Sequence, residues 1–398
     1  MKNISDFQFS LINKSSNYWE KVISLAKQCD NDFYPPLSQR MAIEEYFERF
    51  NNKNGFVTIV TKNELLIGSS CGFFFHPEYK VAYSQFTLID RDHRDKILAR
   101  KLINFVFKVC KESGAFFIQG RTWSTNFASQ KLIKDTGFYL INTILNDRPN
   151  NVHTYEYEKC LYENTFFDKI ERFGILGGMG SLASAKFLTN IYELNSQTEH
   201  EQEQIPIVLN SETNTPDRSK LILAGQYESL KLDLEIQLRN LVNQGVSHIV
   251  ICCLSYHAVL NLITPELRKF VVSLIDFINH MLNGRKGKYL VLLTNGSYKL
   301  KLLKLGSNII YPQPADQEII HDCIYRLKKG EPKEIIIDEM LKLIDNYVLS
   351  GIILGCTDLY LLHELFIKRL ENLEIINPLK LMSYNISDSW KNTLTHEN

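Results

Sequence analysis

Hydrophobic and polar positions follow one pattern before about residue 168 and another after it. Upstream, strand-like apolar runs and amphipathic helices follow one another without strict alternation, which predicts a mixed α/β domain. The expected helices there are WEKVISLAKQC and LARKLINFVFKVCKESG, and the expected strands are FVTIVTK, LLIGSSCGFFF, AYSQFTLI and FFIQGRTW.

Downstream, strands and helices alternate regularly. The apolar strands GILGG, HIVICC, YLVLLT and GIILGC are each followed by a helical segment. Such alternation predicts parallel sheets, with ligand sites at the carboxyl ends of the strands. The segments SHIVICCLSYHAVL and SGIILGCTDLYLL also share one layout of strand, cysteine and helix. An internally duplicated domain would bring two such loops face to face.

Length and composition restrict the class of protein. A chain of 398 residues is too long for one ordinary core, and we predict two domains, 1–167 and 168–398. Lys plus Arg and Asp plus Glu each number 45, so no overall basic charge favours nucleic acid or an anionic membrane as a partner. We find no signal peptide and no apolar run of roughly 18 residues, and therefore expect a cytoplasmic protein.

Two of the eight cysteines stand at equivalent strand ends, Cys253 and Cys356. Either could be a small core residue. A helix that starts after such a thiol is expected to lower its pKa from about 8.5 toward neutrality, so that one thiolate and one thiol could coexist. A pair of that kind could move protons on opposite faces of one carbon. A metal site with His257 and Asp358 can also be drawn, but its spacing is not that of structural zinc, and we predict no metal.

Five motifs in order give the downstream half a family resemblance. They are GILGGMGSLAS, TPDRS at 215–219, CLSYH, YRLKKG at 325–330 and LGCTDL. With them, residues 172–385 resemble the aspartate/glutamate racemase superfamily, closest to its aspartate racemase branch. The resemblance implies a homodimeric racemase that needs no pyridoxal phosphate or other cofactor, acts on an acidic amino acid, and has two pseudosymmetric α/β lobes with the site between them.

The same resemblance assigns roles to individual residues. Cys253 and Cys356 would be the catalytic thiols, while Arg218 and Lys328 would hold a side-chain carboxylate. The loop from Gly178 to Ser181 would bind a carboxylate through backbone N–H groups at a helix start. The implied substrate-binding residues are Gly178, Met179, Gly180, Ser181, Arg218, Leu254, Ser255, Lys328 and Thr357. Leu254 and Ser255 replace the Asn and Thr usual in the family, which removes an amide and leaves the substrate open.

Residues 75–145 resemble the GNAT superfamily of acetyltransferases. HRDKILARKLINFVFKVCKESG has the layout of its acyl-coenzyme loop and helix, and NFASQKLIKDTGF that of its second signature. The resemblance makes acetyl-CoA the candidate cofactor, with contacts at Arg94, Asp95, Lys96, Ile97, Leu98, Ala99 and Asn126. Asp95 and Ile97 replace two glycines of the loop, and Ile133 stands where many members have a tyrosine general acid.

We therefore expect a bifunctional enzyme that racemises an amino acid, Asp or Glu in the first instance, and N-acetylates an amino acid with acetyl-CoA. Two alternatives remain open at this point. One is a non-catalytic sensor of an amino acid or dicarboxylate, with a degenerate acetyltransferase domain. The other is an isomerase or decarboxylase that acts on a dicarboxylic acid.

Overall fold

A computed structural model describes residues 7–51, 54–75, 81–161, 167, 170–196, 200–283, 285–303 and 308–396. The chain forms two compact units, Met1–Tyr162 and Glu163–Asn398. Residue 168, at the predicted domain boundary, lies outside the described residues, so that boundary stays a prediction. Within the described ranges, no helix is both long enough and apolar enough to cross a membrane.

The first unit is built on one seven-stranded sheet in the order β1-β2-β3-β4-β5-β7-β6. Its strands are β1 Phe7–Ile12, β2 Gly55–Lys62, β3 Leu65–Phe75, β4 Val81–Ile89, β5 Phe117–Trp123, β6 Tyr139–Arg148 and β7 Val152–Cys160. Its helices are α1 Trp19–Gln28, α2 Ile43–Asn51, α3 Lys96–Glu112 and α4 Phe127–Asp135. The mixed α/β fold predicted from the pattern is confirmed.

Strands β4 and β5 separate from each other halfway along their length. They pair in parallel from Val81 with Phe117 to Ser84 with Gly120, where the pairing ends. A bulge shifts the register between β3 and β4 at Cys71 and Gly72, and bulges bend and twist a strand. Beyond that point β4 still pairs with β3 and β5 with β7, but β4 and β5 no longer pair with each other, which opens a cleft in the sheet.

The second unit contains two parallel sheets of four strands each. The first lobe has the strand order β11-β10-β8-β9 and the second lobe β13-β12-β14-β15. The strands are β8 Phe173–Gly177, β9 Ile207–Ser211, β10 His248–Ile251, β11 Val271–Val272, β12 Tyr289–Leu292, β13 Ile309–Ile310, β14 Gly351–Leu354 and β15 Glu374–Ile376. The helices are α5 Ser181–Leu194, α6 Arg218–Leu223, α7 Tyr227–Val242, α8 Pro265–Arg268, α9 Leu274–Leu282, α10 Asn295–Leu300, α11 Pro314–Lys328, α12 Lys333–Ile344, α13 His363–Arg369 and α14 Pro378–His396.

The two lobes share one topology. Numbered within its own lobe, each sheet has the strand order 2-1-3-4, with all neighbours parallel. The order reverses between strands 1 and 3, and ligands of open parallel sheets bind beyond the strand ends at that point. The parallel sheets and the duplicated arrangement expected from the sequence are therefore confirmed.

The segments after the two strand-end cysteines differ from the prediction. Both were expected to be helices, but each begins as a 3-10 turn, Leu254–Val259 in the first lobe and Thr357–Leu362 in the second. Only the second turn continues directly into an α-helix, α13, at His363. Short 3-10 turns are common connectors, and their tighter hydrogen bonding gives a smaller aligned dipole than a long α-helix would.

Candidate functional site

Both strand-end cysteines line one cavity in the second unit. Cys253 follows β10 and Cys356 follows β14, and each is the residue that immediately precedes its 3-10 turn. The cavity has a volume of about 20 Å³, little more than one water molecule needs. Its wall contains Met179, Asp217, Arg218, Ser219, Cys253, Leu254, Ser255, Thr294, Tyr325, Lys328, Gly355, Cys356, Thr357 and Asp358.

Cys253 has a guanidinium group as its neighbour. Arg218 lies with Cys253 on the same cavity wall, close enough for an electrostatic interaction. Burial alone would lower the pKa of Arg218, but Cys253 and Tyr256 raise it above its usual range. The guanidinium is fixed by hydrogen bonds from Nη2 to the Met179 carbonyl oxygen, 3.0 Å, and from Nη1 to Thr215 Oγ1, 3.1 Å. A cation held in this way can stabilise an anionic sulfur.

Cys356 has a carboxylate as its neighbour instead. Its Sγ donates to Asp358 Oδ2 at 3.5 Å, and the same oxygen lies 3.2 Å from Lys328 Nζ. Burial, followed by the negative charge of Asp358, raises the pKa of the Cys356 thiol. The lowered pKa expected at this strand end is therefore wrong for Cys356, because burial and a nearby carboxylate outweigh the short turn that follows it.

Lys328 is a partly accessible cation between several groups that favour its charge. Burial would lower its pKa, but Cys356 and Asp358 raise it above the usual range. Lys328 is the last residue of α11, and Tyr325 on the same helix donates to Asp217 Oδ2 at 2.7 Å. Asp217 directly precedes Arg218 and accepts from the Lys220 backbone N–H at 3.0 Å. The two cation-bearing segments are thus held together by the bond between Asp217 and Tyr325.

The glycine-rich loop is shaped by close contacts on two sides. Gly178 has a φ of +90°, and a side chain there would collide with the backbone of Glu212. A side chain at Gly180 would collide with the Asp358 carboxylate. Gly180 also precedes α5, which begins at Ser181 as the sequence indicates. In this structure, a carboxylate of the chain itself therefore lies against the loop that is predicted to bind the substrate carboxylate.

Three further predicted substrate-binding residues lie on the cavity wall with partners of their own. Leu254 is buried, with 3% of its surface exposed. The Ser255 hydroxyl lies 2.9 Å from Ser297 Oγ, and Thr357 Oγ1 donates to the Cys252 carbonyl oxygen at 2.8 Å. The last bond joins the ends of β10 and β14 across the two lobes.

His257, which the sequence offers as a possible metal ligand, has both ring nitrogens hydrogen-bonded. Nδ1 lies 3.1 Å from the Cys253 carbonyl oxygen, and Nε2 accepts from the Leu274 backbone N–H at 2.9 Å. Burial lowers the pKa of His257 to about 4. A neutral ring with both nitrogens bonded to backbone holds the turn after Cys253 against the start of α9, and it is not free to ligate a metal. Among the described residues, no group of His, Cys, Asp and Glu is arranged to hold a metal ion.

Five wall residues were not singled out in the sequence: Asp217, Ser219, Thr294, Tyr325 and Gly355. Asp217 and Tyr325 are the two that join the cation-bearing segments. A signal was available, since Asp217 lies inside the TPDRS motif beside Arg218. Tyr325 precedes Lys328 by three positions, which places both on one face of a helix. Their mutual hydrogen bond could not be read from either motif alone.

The first unit has a much larger cavity in the cleft between β4 and β5. Its volume is about 1540 Å³. Six of the predicted coenzyme-binding residues lie on its wall: Arg94, Asp95, Lys96, Ile97, Ala99 and Asn126. Leu98 is the exception, since its side chain is buried with Val60, Ile67 and Leu102. Leu98 could therefore contact a coenzyme only with its backbone atoms.

Asp95 and Asn126 cap the two helices that open onto this cavity. Asp95 Oδ1 accepts from the Ile97 backbone N–H at 2.7 Å at the start of α3. Asn126 Oδ1 accepts from the Ser129 backbone N–H at 3.1 Å at the start of α4. The helix start and the separated strands suit a long phosphate-bearing ligand. A phosphate that used the Ile97 amide would, however, have to displace the Asp95 carboxylate.

Each of the two units contains a segment that matches a known protein family. Residues 176–382 match the family model for Asp/Glu/Hydantoin racemase, and residues 19–138 match that for the GNAT acetyltransferase family. An aspartate racemase from Picrophilus torridus has 20% identity and a TM-score of 0.47, covering 55% of this chain and 94% of its own. An N-acetyltransferase from Staphylococcus aureus Mu50 has 16% identity and a TM-score of 0.33, covering 39% of this chain and 99% of its own.

The racemase model covers just over half of the chain and includes both strand-end cysteines, Arg218 and Lys328. The acetyltransferase model covers the helix start at Asp95 and the α4 cap at Asn126. The chain therefore belongs to the Asp/Glu/Hydantoin racemase family and carries a GNAT acetyltransferase domain ahead of its racemase domain.

Proposed function

We propose that the second unit racemises an amino acid by a two-base mechanism that uses Cys253 and Cys356 and needs no cofactor. The observation that supports this most strongly is that two thiols from equivalent strand ends line one cavity but have neighbours of opposite charge. Arg218 presents a cation to Cys253, whereas burial and Asp358 favour a protonated Cys356. In the proposed mechanism Cys253 is the base and Cys356 the acid in one direction.

In the direction that starts from this state, the Cys253 thiolate takes the Cα proton, so that the C–H bond breaks and an S–H bond forms. The electron pair left on Cα is delocalised into the substrate carboxylate and stabilised by nearby cations. The Cys356 S–H bond then breaks and its proton is delivered to the opposite face of Cα. Cys253 ends as a thiol and Cys356 as a thiolate, and the other enantiomer uses the same pair in reverse.

An acidic amino acid suits the two cations on the wall. Arg218 Nε is buried and has no hydrogen-bond partner among the residues that the structure describes, so one guanidinium N–H remains for a substrate oxygen. Lys328 is paired with Asp358 in this structure, and a substrate carboxylate could share that ammonium group. Because the cavity of about 20 Å³ is too small for an amino acid, the site has to widen for the substrate. Asp358, which lies against the loop at Gly180, is the group that we propose moves.

The test is loss of the α-proton NMR signal in deuterated buffer, across a panel of acidic, neutral and basic amino acids. We expect exchange and inversion with an acidic member, detected also by chiral chromatography. If ligands bind in calorimetry and no member exchanges, the second unit is a sensor. If a substrate disappears without its enantiomer forming, product identification by NMR would reveal an isomerase or decarboxylase instead.

We propose further that the first unit transfers an acetyl group from acetyl-CoA to an amine. Bound acetyl-CoA would supply an acetyl thioester to the amine nitrogen of the acceptor, and the coenzyme would leave as a thiol with the proton that the amine loses. The first turn of α3 and the open edges of β4 and β5 would hold the coenzyme. We expect an N-acetylated product, detected by mass spectrometry. Because the two domains are part of one chain, we propose a D-amino acid made by the racemase domain as the acceptor. Full conversion of a racemising substrate without any acetylated product would contradict this proposal.

A further inference from the structure

A cluster of charged side chains forms one part of the cavity wall in the first unit. We call it the acceptor wall, and it consists of Arg40, Tyr83, Arg121, Arg148 and Glu156. All four charged members act electrostatically on the Tyr83 hydroxyl, whose pKa is raised by burial. The five residues come from four strands and one loop, so the fold brings them together rather than a local motif.

Only one arginine of the acceptor wall is paired with a carboxylate. Arg121 Nη2 lies 2.5 Å from Glu156 Oε1. Asp147, beside Arg148 in sequence, accepts instead from Thr154 Oγ1 at 2.6 Å. Throughout the part of the chain that the structure describes, neither Arg40 nor Arg148 forms an ion pair. The wall therefore has two guanidinium groups without a carboxylate partner.

These two guanidinium groups converge on one neutral atom. Arg40 Nη2 donates to the Tyr34 carbonyl oxygen at 3.0 Å, and Arg148 Nη1 donates to the same oxygen. Arg148 is held by a bond from Nε to Thr154 Oγ1, 2.8 Å, and lies over the Trp123 ring, 5.1 Å from its centroid. Burial, and then the positive charge of Arg40, lower the pKa of Arg148. A ligand carboxylate would relieve this repulsion and would use N–H donors that one carbonyl oxygen cannot.

We propose that Arg40 and Arg148 bind the carboxylate of the acetyl acceptor, so that the acceptor is an amine that carries a carboxylate, an amino acid. This inference rests on the acetyl transfer proposed above. Three guanidinium groups and two carboxylates, Asp147 and Glu156, surround the cavity here, which leaves a net positive wall. Simple cationic amines are thus disfavoured at this wall, while anionic acceptors are attracted.

The test uses the full chain and two measurements. The first measurement is calorimetry with N-acetylaspartate, the expected product, in the absence of acetyl-CoA. The second compares the rates of acetyl transfer to aspartate and to propylamine in the presence of acetyl-CoA. We expect Arg148→Gln and Arg40→Gln to weaken binding roughly tenfold to a hundredfold. Arg49→Gln is the matched control, since Arg49 lies off the cavity wall and pairs with Glu45 on α2, and it should change binding less than about threefold.

Several results distinguish a failure of the proposed carboxylate site from a failure of the proposed acetyl transfer. Arg218→Gln should leave binding at the first unit unchanged, and a loss of binding only in that variant would place the ligand at the racemase site and overturn the inference. Propylamine acetylated as fast as aspartate would overturn it as well. If no substrate is acetylated but binding still depends on Arg148, acetyl transfer fails while the carboxylate site stands. Arg40 is exposed, so Arg40→Gln remains a valid test even if Arg148→Gln does not fold.

Discussion

The two lobes of the racemase domain have the same strand order and place a cysteine at the same point, yet their electrostatics differ. Cys253 lies beside a guanidinium group and Cys356 beside a carboxylate. The fourth residue after each cysteine also differs. His257 has both ring nitrogens hydrogen-bonded, whereas the buried Tyr360 hydroxyl has no hydrogen-bond partner within the described ranges. A shared fold thus fixes where the two sulfur atoms lie, and the neighbouring side chains differ in charge, which in the proposed mechanism distinguishes the base from the acid.

Removing either thiol should have the largest effect. Cys253→Ser and Cys356→Ser are each expected to lower the rate of racemisation about a thousandfold or more, because a serine hydroxyl is a poor base and acid at neutral pH. Racemisation is followed by chiral chromatography. Cys252→Ser is the matched control, as Cys252 is adjacent to Cys253 but lies off the cavity wall, and it should retain most activity. Equal losses in all three variants would contradict a specific role for the pair.

His257 should affect stability rather than proton transfer. Burial lowers its pKa to about 4 from 6.5, so the unfolded chain binds a proton in this range that the folded chain does not. The free energy of unfolding should therefore be highest above pH 6.5 and fall by up to about 3 kcal/mol toward pH 4. Urea titrations of the wild type and His257→Gln measure this, with exposed His200→Gln as control. An unchanged pH slope in His257→Gln would contradict the assignment.

Asp358 should set the pH range in which Cys356 acts as an acid. Its charge raises the pKa of Cys356 after burial does, so Asp358→Asn should lower that pKa. As the pH rises, the rate in the direction that needs a protonated Cys356 should then begin to decline at a lower pH in the variant than in the wild type. We also expect a tenfold to hundredfold loss of kcat near neutrality, since a charged hydrogen bond and the pair with Lys328 are removed. Asp358→Glu keeps the charge, and should keep the wild-type pH profile.

Much of the fold follows from the sequence. Alternating apolar strands and helices gave the parallel sheets, and helix α5 begins at Ser181 and ends at Leu194 as the pattern indicates. The position of both thiols at one cavity also followed, because parallel strands of a duplicated domain present equivalent ends to the same site. These features depend on local periodicity and on the position of a residue within its own strand.

The details that distinguish the two lobes could not be predicted from the sequence. The contact of Asp358 with Lys328 and with Gly180 joins three segments that are far apart in sequence. The local rule for thiols before helices predicted a lowered pKa, but the pKa of Cys356 is raised by burial in a site that only the folded lobes create. The convergence of Arg40 and Arg148 on Tyr34 likewise depends on a tertiary contact that neither local sequence encodes.

The most direct test is hydrogen exchange by each single-cysteine variant on separate enantiomers of the racemised amino acid in deuterated buffer. Cys356→Ser retains Cys253 on one face and should exchange the α-proton of one enantiomer without inverting it, while Cys253→Ser should exchange only the other. Exchange of both enantiomers by one variant, or the same enantiomer by both, would show that the two sulfur atoms do not act on opposite faces of one substrate.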